Sequence, residues 1–211
     1  MKLPLIWFDH IRRSEKGVFS VELAEIASSI FDPLIVVVVF LAALLFYLKL
    51  PFVESLKWFV LTVSIAILPT VFYLAWCLKT HRVHDWFITE RTERLKVLAV
   101  GLSSLVALNF ILGFLESPYL LQVFVWIELL VGFILAVITF YWKVSFHTSA
   151  ITFLATSLIL LYGLKFTGVF ILLIPVGWAR QKLGKHTWSQ LIAGAVITLV
   201  VTTLVFKWYY G

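Results

Sequence analysis

A chain of 211 residues that is 62% hydrophobic and 13% charged cannot clothe a water-soluble fold, because an ordinary soluble domain keeps about a quarter of its residues charged. With a mean hydropathy of +1.04, most of its outer surface must face lipid, which predicts an all-α polytopic bundle of transmembrane helices. The formal net charge is +6, and the single Cys77 excludes an intramolecular disulfide.

In chain order, residues 1–28 mix Leu5, Trp7, Phe8, Ile11, Val18, Phe19 and Leu23 with Arg12, Arg13 and Lys16. That pattern suits an amphipathic helix lying in the membrane interface. No apolar run of signal-peptide type precedes Ser28, so the first hydrophobic segment is expected to persist. Residues 29–211 read as one transmembrane domain. A helix needs roughly 20 apolar residues to cross the hydrocarbon core. Phe31 to Leu50, Leu56 to Leu78, Val97 to Leu115, Tyr119 to Trp142 and Gln190 to Tyr209 meet that length or approach it. Between His147 and Arg180 a further apolar stretch is interrupted at Gly163, Lys165 and Gly168, which favours two short returning helices over one overlong helix. The expectation is seven spans, or six if that stretch is continuous.

In the seven-span arrangement only Lys49, Lys57, Lys165 and Lys207 of the 17 Lys and Arg residues lie on the face opposite the N-terminus. The positive-inside rule then assigns the N-terminal face of a cell-membrane protein to the cytoplasm. Three polar clusters fall on that same face: Lys79 to Lys96, Lys143 to Thr148, and Arg180 to Gln190.

The third cluster places Arg180, five residues, His186, three residues and Gln190; the second reads Val144-Ser145-Phe146-His147; the first contains Arg91 and Arg94. In order and spacing these resemble the three signatures of the type 2 phosphatidic acid phosphatase superfamily, which are Lys, six residues, Arg-Pro; Pro-Ser-Gly-His; and Ser-Arg, five residues, His, three residues, Asp. The resemblance runs from Lys79 to about Gly194. It departs from the pattern at Phe87 for Lys, Leu95 for Pro, Phe146 for Gly, Ala179 for Ser and Gln190 for Asp. It implies a lipid phosphate or diphosphate phosphatase with His186 as nucleophile, forming a phosphohistidine, and His147 as general acid. Arg180 and Arg94 would clamp phosphate, Ser145 would assist, and Arg91 would supply the missing cation one turn from Arg94. Gln190 would hold His186. The implied partners are the bilayer and a membrane lipid substrate, with no nucleic acid and no metal or other cofactor.

The chemistry is coherent without the family. Phosphate esters carry charge that fixed cations and N–H donors hold most tightly at the transition state. A neutral imidazole can attack phosphorus while a second protonates the departing oxygen. His81 and His84 beside Asp85 form a metal-like pair without a third ligand. Two other readings compete: a lipid-headgroup binder or scramblase on the same fold, and a proton-coupled transporter using Glu128 in the fourth span. Glu128 is otherwise expected to form an interhelical lock with Asn109.

Overall fold

The computed structural model describes residues 19–83 and 91–210, with backbone only at Arg91 and Thr92. All regular structure among these residues is helical: α1 (Phe19–Ile30), α2 (Pro33–Leu48), α3 (Phe52–Lys79), α4 (Arg91–Phe114), α5 (Tyr119–Tyr141), α6 (Phe146–Tyr162), a 3-10 segment (Leu164–Leu172), α7 (Leu173–Lys182) and α8 (Trp188–Tyr210). Of these, α3, α4, α5 and α8 are long and apolar enough to cross a membrane, and α1 with α2 makes a fifth if the bent pair counts as one span. α6 has 17 residues and falls short by length alone. Phe46, Phe72, Phe110, Phe114 and Trp208 stand exposed on the outer surface, as fits a membrane-embedded protein whose solvent is hydrocarbon.

Local sequence explains the boundaries. Asp32 caps α2, its Oδ1 accepting from Leu34 N at 2.9 Å, and Pro33 occupies the first turn where its missing N–H costs nothing. The axis bends by 42° between α1 and α2. Within α3, Pro69 cannot donate to the carbonyl one turn back. The helix answers by widening to π geometry over Val63–Ile67, where Leu68 N–H bonds to Val63 O across five residues. Gly163, at φ 91°, ends α6. The stretch from His147 to Arg180 is thus broken at Gly163 as expected, although its returning leg begins as 3-10 helix rather than α-helix.

α6 is the hub. It packs against α2, α7, α8 and the 3-10 segment, and residues 147–158 are all buried. An edge-to-face aromatic cluster of Phe40, Phe124 and Phe153 joins α2, α5 and α6 with ring centroids 4.8 to 6.3 Å apart. Tyr162 Oη donates to Ala43 O at 2.7 Å, tying the far end of α6 to α2.

The seam between α6 and α8 is built differently, from small and hydroxylic side chains. Thr148 Oγ1 donates to Leu191 O at 2.8 Å, and the Ser149 and Thr198 hydroxyls share a hydrogen bond of 2.6 Å. Gly194 makes this approach possible, since a Cβ there would lie 2.5 Å from the Ser145 carbonyl oxygen. Between apolar helices in lipid, close backbone approach and interhelical hydrogen bonds supply the association that hydrophobic burial supplies in water.

The lock expected between Glu128 and Asn109 is not formed. Asn109 Nδ2 donates back to Leu105 O at 3.0 Å within α4, because a polar side chain inside an apolar helix reaches its own preceding turn at the least conformational cost.

Candidate active site

Four side chains named from sequence converge. Arg94 from the first turn of α4, His147 from the first turn of α6, Arg180 from the last turns of α7 and His186 from the α7–α8 connection line one cavity of about 190 Å³. Three helix ends and a tight loop make this possible. Gly184, at φ 64°, turns the chain after α7, and Lys185 and His186 N–H groups both bond to Arg180 O. The six-residue interval from Arg180 to His186 therefore closes into a loop that presents both side chains to the same space. Across it, Ser145 N bonds to Gln190 O at 3.3 Å, which draws the His147 end of α6 against the start of α8.

All four side chains are buried, with Arg180 at 1% exposure and the other three at 6 to 7%. Guanidinium groups are rarely so buried on an inert basic loop, where long cationic side chains reach out to headgroups and water. Glu93, next to Arg94, is bonded instead to Lys96 at 2.8 Å on the exposed side of α4, so the acidic neighbour does not follow Arg94 into the cavity.

The state of His186 follows from its surroundings. Burial first, and then the charges of Arg94, Arg180 and Lys143, push its imidazole down to about 3, against a smaller upward pull from the hydrogen bond to Gln190. It is therefore neutral at physiological pH. Its tautomer is fixed as well. Gln190 Oε1 accepts from Thr187 N at 3.1 Å, which identifies that atom as the carbonyl oxygen, and the same oxygen lies 3.3 Å from His186 Nδ1. An oxygen that only accepts requires Nδ1 to carry the proton, leaving the lone pair on Nε2.

Other expected residues stand apart from this group. Ser145 is buried, but its Oγ is the N-cap of α6, accepting from Thr148 N at 3.4 Å, and it is not among the cavity-lining residues. The Arg91 side chain, Phe87, His84 and Asp85 lie outside the described residues, as does the segment 1–18 that carries most of the expected amphipathic helix.

Two residues join the site without having been anticipated. Ser28 of α1 is fully buried; its Oγ accepts from Arg180 Nη1 at 3.4 Å and its main chain hydrogen-bonds His147. Asp32 lines the cavity and is its sole carboxylate among the described residues. In sequence, Asp32-Pro33 reads as a helix start and Ser28 as the end of an amphipathic segment. Only the bend between α1 and α2 brings them to the cations.

No protein-family model, curated protein or solved structure matches this chain. The roles of its residues therefore rest on their chemistry and geometry.

Proposed function

We propose that the chain is a membrane-embedded, metal-independent phosphatase that hydrolyses a lipid phosphate or polyprenyl (di)phosphate through a phosphohistidine. The observation that carries this reading is the meeting of two histidines and two buried arginines in one cavity, from three chain regions far apart in sequence. Arg94 and Arg180 hold the phosphoryl oxygens, and bidentate guanidinium contacts suit their geometry. His186 Nε2 attacks phosphorus. The bound phosphate monoanion passes its proton to His147, which gives it to the departing oxygen as the P–O bond to the lipid breaks, and water then attacks the phosphohistidine with His147 returned as base. Phosphatidic acid, phosphatidylglycerol phosphate and polyprenyl phosphates are the substrate candidates that the family resemblance suggests.

Seven spans and a cytoplasmic site belong to the same proposal, supported by the unequal distribution of Lys and Arg. Under it, an introduced Ser189→Cys resists impermeant thiol reagents applied to intact cells, and ready labelling would reverse the orientation.

The decisive experiment is phosphate release by purified protein from a panel of lipid phosphates in EDTA, with His186→Ala as control. Turnover that His186→Ala abolishes supports the enzyme. Silence across the panel with retained lipid binding favours the second reading, a headgroup binder or scramblase, which gains support from one observation: the partner of His186 is the neutral Gln190 amide, which lends an imidazolium no charge.

A further inference from the structure

A second cavity, of about 210 Å³, adjoins the first and lies deeper in the bundle. Pro33, Leu34, Thr70, Val97, Leu98 and Phe146 are walls common to both cavities, so this space lies directly beside the one that holds the cations. Its deep end is ringed by Ala66 on α3, Leu105 on α4 and Glu128 on α5. Leu105 lies eleven residues below Arg94, which at about 1.5 Å of rise per residue puts the floor roughly 16 Å below the guanidinium-bearing turn.

Three residues shape the walls of this space: Pro69, Gly101 and Gly132. Pro69 forces a π turn, and Ala66 and Ile67 of that turn line the cavity. Gly101 on α4 and Gly132 on α5 line it where an added Cβ would come within 3.4 Å of Thr70 Oγ1 and 3.2 Å of Leu102 Cδ2, so both mark close helix approach around the cavity. At the floor, Glu128 makes no hydrogen bond or ion pair with any described residue. An ionisable side chain facing a cavity at membrane depth marks a place where something other than the protein's own packing is accommodated.

We propose that this cavity seats the single hydrocarbon chain of the phosphate-bearing lipid, so that the substrate is a one-chain lipid phosphate or diphosphate rather than a two-chain phospholipid. The inference rests on the phosphatase reading for its headgroup and on the second cavity for its chain. Two features argue for one chain. The volume lies below the roughly 300 to 1,000 Å³ of pockets that take drug-sized ligands, and the walls come from five helices, two of which meet their neighbours closely at Gly101 and Gly132, leaving little width. An extended chain advances about 1.2 Å per bond, as an extended polypeptide does over its three bonds per residue. A depth of roughly 16 Å therefore takes about 13 bonds before the chain meets Glu128. A carboxyl at that point favours chains that stop there or leave the cavity towards lipid, since an apolar chain pressed onto it would strip it of any hydrogen-bonding partner.

The test uses the full-length protein in nanodiscs and a tetradecyl phosphate carrying a diazirine near the end of its chain. Photolysis is expected to label the segments 98–105 and 128–135. Unlabelled tetradecyl phosphate should displace the probe, and dioleoyl phosphatidic acid should need at least about tenfold more. Leu105→Trp, which fills the floor, should cut labelling severalfold and lower kcat/KM about tenfold more for tetradecyl phosphate than for butyl phosphate. Leu102→Ala, at a partly exposed wall position, should widen the cavity and narrow the gap between the two lipids. Labels mapping elsewhere, or phosphatidic acid displacing as well as tetradecyl phosphate, would overturn the proposal even if phosphate release is robust. Labelling at the floor without phosphate release would retain the chain site and remove the phosphatase.

Discussion

The two sides of the bundle that meet at the candidate site are held together by different forces. On the α6–α8 side, helices touch backbone to backbone at Gly194 and exchange hydrogen bonds at Thr148–Leu191 and Ser149–Thr198. On the α3–α4–α5 side, contact is apolar, the α3 ladder is widened by a π turn, and a cavity separates the walls. The first side carries both histidines, Arg180 and Gln190; the second contributes Arg94 and a seat for hydrocarbon. A closely bonded seam suits groups that must hold geometry to a few tenths of an ångström, whereas a compliant apolar wall suits a ligand recognised by volume.

Glycine replacement probes this contrast most severely. At Gly194 a Cβ would meet the Ser145 backbone 2.5 Å away, and backbone cannot step aside as a side chain can. Gly194→Val is expected to separate α6 from α8, destabilise the protein by more than about 3 kcal/mol and abolish turnover. Gly101→Ala, whose new Cβ would lie 3.4 Å from a single hydroxyl oxygen, should fold with a Tm close to wild type. Thermal unfolding in detergent by intrinsic fluorescence measures both, and equal losses would erase the distinction between the two sides.

Within the stiff side, the two histidines separate by role. His186→Ala removes the attacking atom, so turnover should vanish on every substrate and no phosphoenzyme should accumulate in rapid-quench experiments. His147→Ala removes only a proton donor. It should cost about 10² to 10⁴ with a lipid alkoxide leaving group, and far less with nitrophenyl phosphate, whose leaving group departs without a proton. Trapping phosphohistidine in His186→Ala, or equal losses on both substrates in both variants, would sink the assignment.

Acid pH gives a gentler test of the same cavity. His186 has its imidazole at about 3 in the folded protein against about 6.5 when unfolded. Since the unfolded chain binds the proton more tightly, the stability associated with neutral His186 is complete above pH 6.5 and is lost as pH falls towards 3. His186→Gln should therefore flatten the dependence of Tm on pH across that window. The kcat/KM profile of the wild type should show no acid limb between pH 5 and 7 that belongs to His186; a limb there that moves on altering Arg94 or Lys143 would contradict the neutral state.

The long helices were legible because hydropathy and length act locally: Tyr119 to Trp142 was expected where α5 covers Tyr119–Tyr141, and Gln190 to Tyr209 where α8 covers Trp188–Tyr210. His147, Arg180, His186 and Gln190 were legible because their spacing is short enough to survive as a pattern. Ser28 and Asp32 were not, since their proximity to the cations depends on a 42° bend that no residue spacing encodes. The Glu128–Asn109 lock failed for the opposite reason, because two polar residues in apolar spans look like natural partners until one bonds within its own helix. The second cavity was hidden too; Pro69 signals a distorted helix, but not that the widened turn faces α4 and α5.

Gln190→Glu, which is isosteric, has the smallest expected effect and bears most directly on how the stiff side works. Gln190 Oε1 already fixes the tautomer of His186 at 3.3 Å, so a carboxylate in its place adds charge without a new positioning contact. That charge stabilises imidazolium, which raises the pKa of His186 from about 3 and increases the basicity of Nε2. The acid limb of kcat/KM should therefore move upward, and turnover of a lipid phosphate should rise by about two- to tenfold where attack limits the rate. Gln190→Ala should do the reverse, losing turnover with expression and folding intact, because the loop hydrogen bonds from Lys185 and His186 to Arg180 O do not involve it. The two variants are informative as a pair. If Gln190→Ala leaves the rate unchanged, another group orients His186. If Gln190→Glu moves the acid limb without changing the rate, orientation alone is what this position contributes.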